Sequence, residues 1–196
     1  PTVLVVRADS PWKSAGEFMA YAKSKPGALT FGSSGNYGTM HVPIEMLKQA
    51  SGTFMVHVPY TGAGPAVIGL LGGQVDALAT GPSTIVQQVK AGRLRALAHW
   101  GEGRLAALPD VPSLKELGYP VGFSQWAGLF APAGTPEPVI ARLREAAKKA
   151  AEDERVVRTI LTAGTPMQYQ DAPEFSRFVA ADAATMAGVV RRIGKQ

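Results

Sequence analysis

Leu29–Leu47 reads LTFGSSGNYGTMHVPIEML. An apolar, strand-like opening runs into Gly32, Ser33, Ser34 and Gly35, and an apolar, helix-like run follows. Glycine and serine leave main-chain N–H groups accessible, and the first four amides of a helix have no partner within it. Such a junction is a receptor for an anion, because unpaired amides and the positive end of the helix dipole act together. It also decides the fold, since strand, small-polar turn and helix form the unit from which parallel sheets are built.

The unit recurs along the chain. VLVV (3–6) precedes a helix near Ser14–Lys23, LTFGS (29–33) a helix near Thr39–Ala50, and MVHVPY (55–60) a helix near Pro65–Leu71. DALAT (76–80) precedes a helix near Pro82–Lys90, and LRALAHW (94–100) closes the series. Helix starts are marked: Ser14 with Glu17 and Ser113 with Glu116 fit the capping box, and Asp171 with Glu174 is its Asp-led analogue. Thr135 before Pro136 gives a further cap, with proline in the first helical position.

Beyond LRALAHW the texture changes to GEGRLAALPDVPSLKELGYPVGF, then to apolar SQWAGLFAP, then to helices alone. Val139, Leu143, Ala147 and Ala150 line one helical face; Phe175, Phe178, Val179, Met186, Val190 and Ile193 line another. The sheet already has helices of its own, so these stripes predict a separate body, with a boundary near Gly122–Gly134. No repeat of fixed period stands out.

Composition narrows the chemistry. At 196 residues and 46% hydrophobic the chain can bury a large core. It has no apolar run of the roughly 18 residues a membrane-spanning helix needs. PTVLVVRADS lacks the features of a secretory signal, leaving a cytosolic chain or one whose targeting segment has been removed. The absence of cysteine excludes disulfides, thiolate catalysis and cysteine-based zinc sites. The net charge of +5 is spread, and in RLREAAKKAAEDER basic residues alternate with acidic ones, as on a solvated helix face; no nucleic-acid partner is expected.

Motifs for catalysis are missing: no G-x-G-x-x-G after a strand, no G-x-x-x-x-G-K-[ST], no H-E-x-x-H and no G-x-S-x-G. No cofactor or metal is implied. The histidines lie on separate elements; His57 and His99 read as structural, and His41 as either facing a ligand or, preferred, supporting the loop through a hydrogen bond. Ligands of parallel sheets bind beyond the carboxyl ends of the strands. Three loops meet there: Ser33, Ser34, Gly35, Thr39 and His41 from the first, Tyr60 and Thr61 from the second, Gly81 and Ser83 from the third. Hydroxyls and free amides without a nucleophile and base suit holding a carboxylate or phosphate.

VPYTGAGPAVIGLLGGQVDALATGPSTIVQQVKAGRLRALA (58–98) resembles a family, the periplasmic receptors of tripartite tricarboxylate transporters, often called Bug receptors. Its members carry a VPYKGxGPAxxDLLGGQVD-like segment, an N-P-S-like turn and IKAGKLRALA. LAALPDVPSLKELGYP, WAGLFAPAGTPEPVIARL and KPGALTFGSSGNYGTMH are similar to further family segments. This chain departs from the pattern at Thr61 in place of Lys, Gly69 in place of an acidic residue and Gly81 in place of Asn.

The resemblance implies an α/β fold of the type II periplasmic-binding-protein kind: a Rossmann-like lobe with a mainly parallel sheet over 1–122, a hinge over 123–133, and C-terminal helices of the other, incomplete lobe over 134–196. Members carry roughly one hundred further residues ahead of the matching part, the size of a two-lobed receptor. It further implies capture of a small carboxylate in the periplasm and delivery to the transporter's membrane subunits, without catalysis. Trp126 falls at the hinge, where packing of the two lobes is preferred to ligand contact. The alternative is a half-pocket sensor or partner-binding module acting through exposed helices, with self-association through faces the missing part would cover. An enzyme on a nucleotide-binding sheet is disfavoured, because phosphate fingerprint and catalytic pair are both lacking.

Overall fold

Val3–Arg7 (β1) is a continuous apolar run whose first four residues are wholly buried, as a strand covered on both faces must be. The computed structural model describes residues 1–194. The chain continues through α1 (Ala15–Ser24), β2 (Thr30–Ser33), α2 (Val42–Ser51), β3 (Val56–Pro59), α3 (Ala63–Leu71), β4 (Ala77–Thr80), α4 (Pro82–Lys90) and β5 (Leu94–His99). Helices α5 (Glu137–Glu152), α6 (Glu154–Thr162) and α7 (Ala172–Ile193) follow. The chain divides into two compact units, Pro1–Gln125 and a second beginning at Trp126.

The first unit holds a five-stranded sheet in the order β3-β2-β4-β1-β5. Strand β2 pairs in parallel with both β3 and β4, whereas β1 runs antiparallel to β4 and β5, with Val3 opposite both Thr80 and His99. The sheet is thus mainly parallel, as read from the sequence, with β1 as the exception. An apolar run buried on both faces has the same pattern in either direction, so its orientation is set by its neighbours.

Alternation along β1 feeds two cores. Leu4 and Val6 pack with Phe18, Phe31, Ile44, Leu47 and Trp100 under α1 and α2. Val3 and Val5 pack with Val67, Leu70, Leu78, Ile85 and Val86 under α3 and α4. Truncating a buried leucine in either layer costs about 2–5 kcal/mol.

In the first unit two helix starts differ from the sequence reading. Helix α2 begins at Val42 rather than Thr39, because residues 36–41 turn first and His41 takes the N-cap position. Ser113 and Glu116 exchange both capping-box bonds, Glu116 N–H to Ser113 Oγ at 3.1 Å and Ser113 N–H to Glu116 Oε2 at 2.7 Å, yet on a run of turns. Gly118 follows in the left-handed conformation, so the turn is not propagated. Ser14 caps α1 as expected, while Glu17 reaches the N–H of Lys13 instead of that of the cap residue.

In the second unit Pro136, not Thr135, takes the N-cap position of α5, and the Thr135 hydroxyl donates to Pro132 O at 2.8 Å. Asp171 caps α7 by accepting from Ala172 N–H and pairs bidentately with Arg144 at 2.7 and 3.0 Å. Helix α6 was not read from the sequence. Asp153 ends α5 and caps α6 by accepting from Arg155 and Val156 N–H, so an apparently continuous run is two helices. Val139 and Leu143 on α5, with Val156 and Leu161 on α6, are exposed. A hollow of about 660 Å³ lined by Lys149, Asp153, Val156 and Ile160 opens between these two helices, far along the chain from the loops of the sheet. Trp126 packs edge-on against Phe175 and Phe178 of α7 at 5.4 and 5.9 Å, and its indole N–H donates to Asp182.

Candidate functional site

Strands β3, β2 and β4 are adjacent and parallel, so the loops that follow them leave one edge of the sheet side by side. What these loops offer follows from counting their donors. In the first loop Gly35 N–H is taken by Ser33 Oγ at 3.2 Å and Tyr37 N–H by His41 Nδ1 at 2.9 Å. The N–H groups of Ser34, Asn36 and Thr39 have no hydrogen-bond partner among the described residues, nor do their side chains.

The second loop opens α3, where Pro65 carries no N–H and Ala66 N–H bonds to Gly62 O. Thr61, Gly62, Ala63 and Gly64 keep free N–H groups among the described residues. In the third, Gly81 is the N-cap of α4, Pro82 has no N–H and Thr84 N–H returns to Gly81 O, leaving the N–H and hydroxyl of Ser83. No Lys or Arg lies in any of the three loops. The edge therefore presents neutral donors and the first turns of two helices, chemistry that suits an anion without a countercharge.

The predicted residues divide accordingly. Ser34, Thr39, Thr61 and Ser83 have their donors at the edge; Ser33, Gly35 and His41 are committed beneath it. Ser33 is fully buried, and its hydroxyl contacts Gly35 O at 2.9 Å, Gly35 N and His57 Nε2 at 2.6 Å. All three contacts are satisfied together when the hydroxyl donates to Gly35 O and accepts from Gly35 N–H and from an Nε2–H tautomer of His57. In that arrangement His57 donates to the serine, the reverse of a base activating a nucleophile. Burial, then the charge of His41, lower the His57 pKa to about 4, so the ring is neutral at pH 7.

His41 is buried, with Nδ1 occupied by Tyr37 N–H and Nε2 3.5 Å from Glu45 Oε1. Its ring stacks on His57 at 3.8 Å, and His57 on Phe31 at 4.9 Å. Burial opposes ionisation of Glu45, but hydrogen bonds from His41 and Lys48 and the Lys48 charge outweigh it and hold the carboxyl below its usual range. Lys48 Nζ is 2.6 Å from Glu45 Oε1 and lies over Phe31 and Phe54. This buried assembly supports the first loop from behind, the role preferred for His41 from the sequence. His57 is bonded through Nε2; in His99, Nδ1 accepts from Gly101 N–H while the buried Nε2 has no partner among the described residues.

Tyr60 leaves only its main chain near the loop edge, with its N–H on Ser33 O. Its ring folds back over Gly32 and α3, and its hydroxyl meets Gln74 at 3.2 Å, ahead of β4. A Cβ at Gly69 would overlap the Tyr60 phenol, so the glycine standing where the family pattern is acidic makes room for this ring. A Cβ at Gly81 would lie 2.7 Å from Gln125 Oε1, which places the Gln125 amide over the start of α4.

Three residues at this edge escaped the sequence reading: Asn36, Gln125 and Tyr37. Tyr37 has φ +59, the only non-glycine with positive φ among the described residues, and it is 51% exposed. That backbone costs about 1–2 kcal/mol for an L-residue. Within a Gly-rich run the sequence carries no signal for which residue adopts it.

The tripartite tricarboxylate transporter family receptor model matches residues 1–195. A Cupriavidus necator protein named for the gbd 5' region is 36% identical over 97% of this chain and 58% of its own length. BugT of Bordetella pertussis is 31% identical over 99% of this chain and 60% of its own. Among solved structures, MatC of Rhodopseudomonas palustris with bound malate superposes with a TM-score of 0.88 at 30% identity, over 97% of this chain and 66% of that one. The chain spans about three fifths of the length of these two relatives. Its fold is that of this group of periplasmic binding proteins. Matched from residue 1 to residue 195, the chain belongs to the tripartite tricarboxylate transporter receptor family, whose members are solute-binding receptors.

Proposed function

We propose that this chain forms the ligand-holding lobe of a periplasmic receptor that captures a small carboxylate and delivers it to the membrane subunits of a tripartite carrier. The observation that carries this reading is the row of unpaired, uncharged donors at the carboxyl ends of β3, β2 and β4. Ser34, Asn36, Thr39, Thr61 and Ser83 supply them, with Gly35, at φ +126, shaping the backbone. A carboxylate accepts several such bonds, and helix starts favour its charge. The family contains a member with malate bound, in keeping with a carboxylate ligand. No bond is made or broken: Ser33 and His57 are spent in holding Gly35. Segment 123–133, which holds the boundary between the two compact units, is the hinge in this reading. Isothermal titration with a panel of mono-, di- and tricarboxylates tests the reading; a folded protein that binds none of them ends it.

A second reading, a partner-binding module acting through its helices, draws on the exposed Val139, Leu143, Val156 and Leu161. Apolar residues gathered on two neighbouring helices form an interaction surface, here for a second copy of the chain. Size-exclusion chromatography with light scattering decides it, and a clean monomer counts against it.

A further inference from the structure

We infer that Tyr37 contacts the ligand and selects carboxylates carrying an aromatic or flat apolar body. The inference rests on the reading of the loop edge as a carboxylate site. Tyr37 holds φ +59, where glycine would sit without strain, and Gly35 and Gly38 flank it. Strain of this kind persists where surroundings enforce it and is enriched at ligand clamps. Two contacts enforce it: Tyr37 N–H is held by His41 Nδ1 at 2.9 Å, and the Tyr37 ring lies 5.7 Å from that of His41. His41 is itself fixed by the His57 ring at 3.8 Å and by Glu45 at 3.5 Å.

Core packing does not account for Tyr37, which is 51% exposed and whose hydroxyl has no hydrogen-bond partner among the described residues. A half-exposed aromatic residue is thus seated in the same loop as the amides of Ser34, Asn36 and Thr39, unpaired among the described residues. The donors of the three loops meet a carboxylate, and the exposed Tyr37 in the first of them suits a ring, which stacks or packs edge-on at roughly 4.5–7 Å between centroids.

The test uses the full chain with benzoate, phenylacetate, succinate and malate as probes, titrated into wild type, Tyr37→Phe, Tyr37→Ala and Tyr37→Gly, with a melting curve for each. The Phe variant keeps benzoate affinity within about twofold, while Ala and Gly lose about tenfold or more for the aromatic probes and about twofold or less for succinate and malate. Tyr37→Gly melts higher than wild type because the strain is gone, so its lost affinity cannot come from unfolding. Equal losses for all four probes, or unchanged benzoate binding in Tyr37→Ala, overturn the inference and leave the receptor reading standing. Wild type that binds no carboxylate in this set or in the wider panel overturns both.

Discussion

Ser33 Oγ lies 2.6 Å from His57 Nε2, and both residues serve the turn at Gly35 rather than a reaction. One strand end is thereby tied to its neighbour by a side-chain bond alongside the ladder, and the first loop leaves the sheet in a single direction.

Ser33→Ala removes the acceptor for Gly35 N–H and strands the His57 donor. Leaving such buried groups unpaired costs about 1–3 kcal/mol. A lower urea midpoint with an unchanged slope is expected; a midpoint equal to wild type would show that the bond contributes nothing.

Stability depends on pH in two separate windows. The folded chain refuses a proton at His57 until about pH 4, whereas the unfolded chain accepts it near 6.5, so stability falls as pH drops through that interval and levels off below it. Burial lowers the His99 pKa as well, which adds a slope of the same sign. Asp171 behaves differently: its bond to Arg144, then that from Ala172 N–H, hold its pKa at about 2 against 3.8, so its contribution is present above 3.8 and lost as pH falls toward 2. In urea titrations across pH, His57→Gln flattens the upper window in part and Asp171→Asn flattens the lower.

Gly69 and Tyr60 form a coupled pair. Gly69→Ala inside α3 would gain about 1 kcal/mol of helix propensity. The Cβ meets the Tyr60 ring, however, and overpacking costs about 1–3 kcal/mol. The substitution is expected to destabilise wild type and to stabilise a Tyr60→Ala background. A double-mutant cycle without that change of sign refutes the coupling.

Gly81 offers the contrast. Its φ of −66 suits any residue, and the atom a Cβ would meet is the far end of the exposed Gln125 side chain. Gly81→Ala is expected to change stability by less than about 0.5 kcal/mol, with Gln125 swinging aside. A larger loss in thermal denaturation would show that the amide is held in place.

The five strands and most helices were legible in the sequence, because apolar periodicity and cap residues act over a few positions. VLVV and DALAT are strands through their own composition, and Pro82 sets the start of α4 by itself. Helix α6 was missed because Asp153 breaks a run of uniformly helical preference with one side chain. The loop edge could be anticipated from small-polar residues after strands, yet the division between Ser34, whose donors are unpaired, and Ser33, whose bonds are spent, could not. Both are serines after the same strand, and only the position of His57, 24 residues on, separates them.

By itself the sequence determined the alternation of strand and helix, the family, and the three small-polar loops, since each depends on residues close together along the chain. Tertiary structure alone decided the direction of β1, the folding-back of Tyr60 over Gly69, the buried stack behind the first loop and the strained seat of Tyr37. Strand direction, satisfaction of donors and enforcement of strain all depend on partners distant in sequence, and no local pattern encodes which partner arrives.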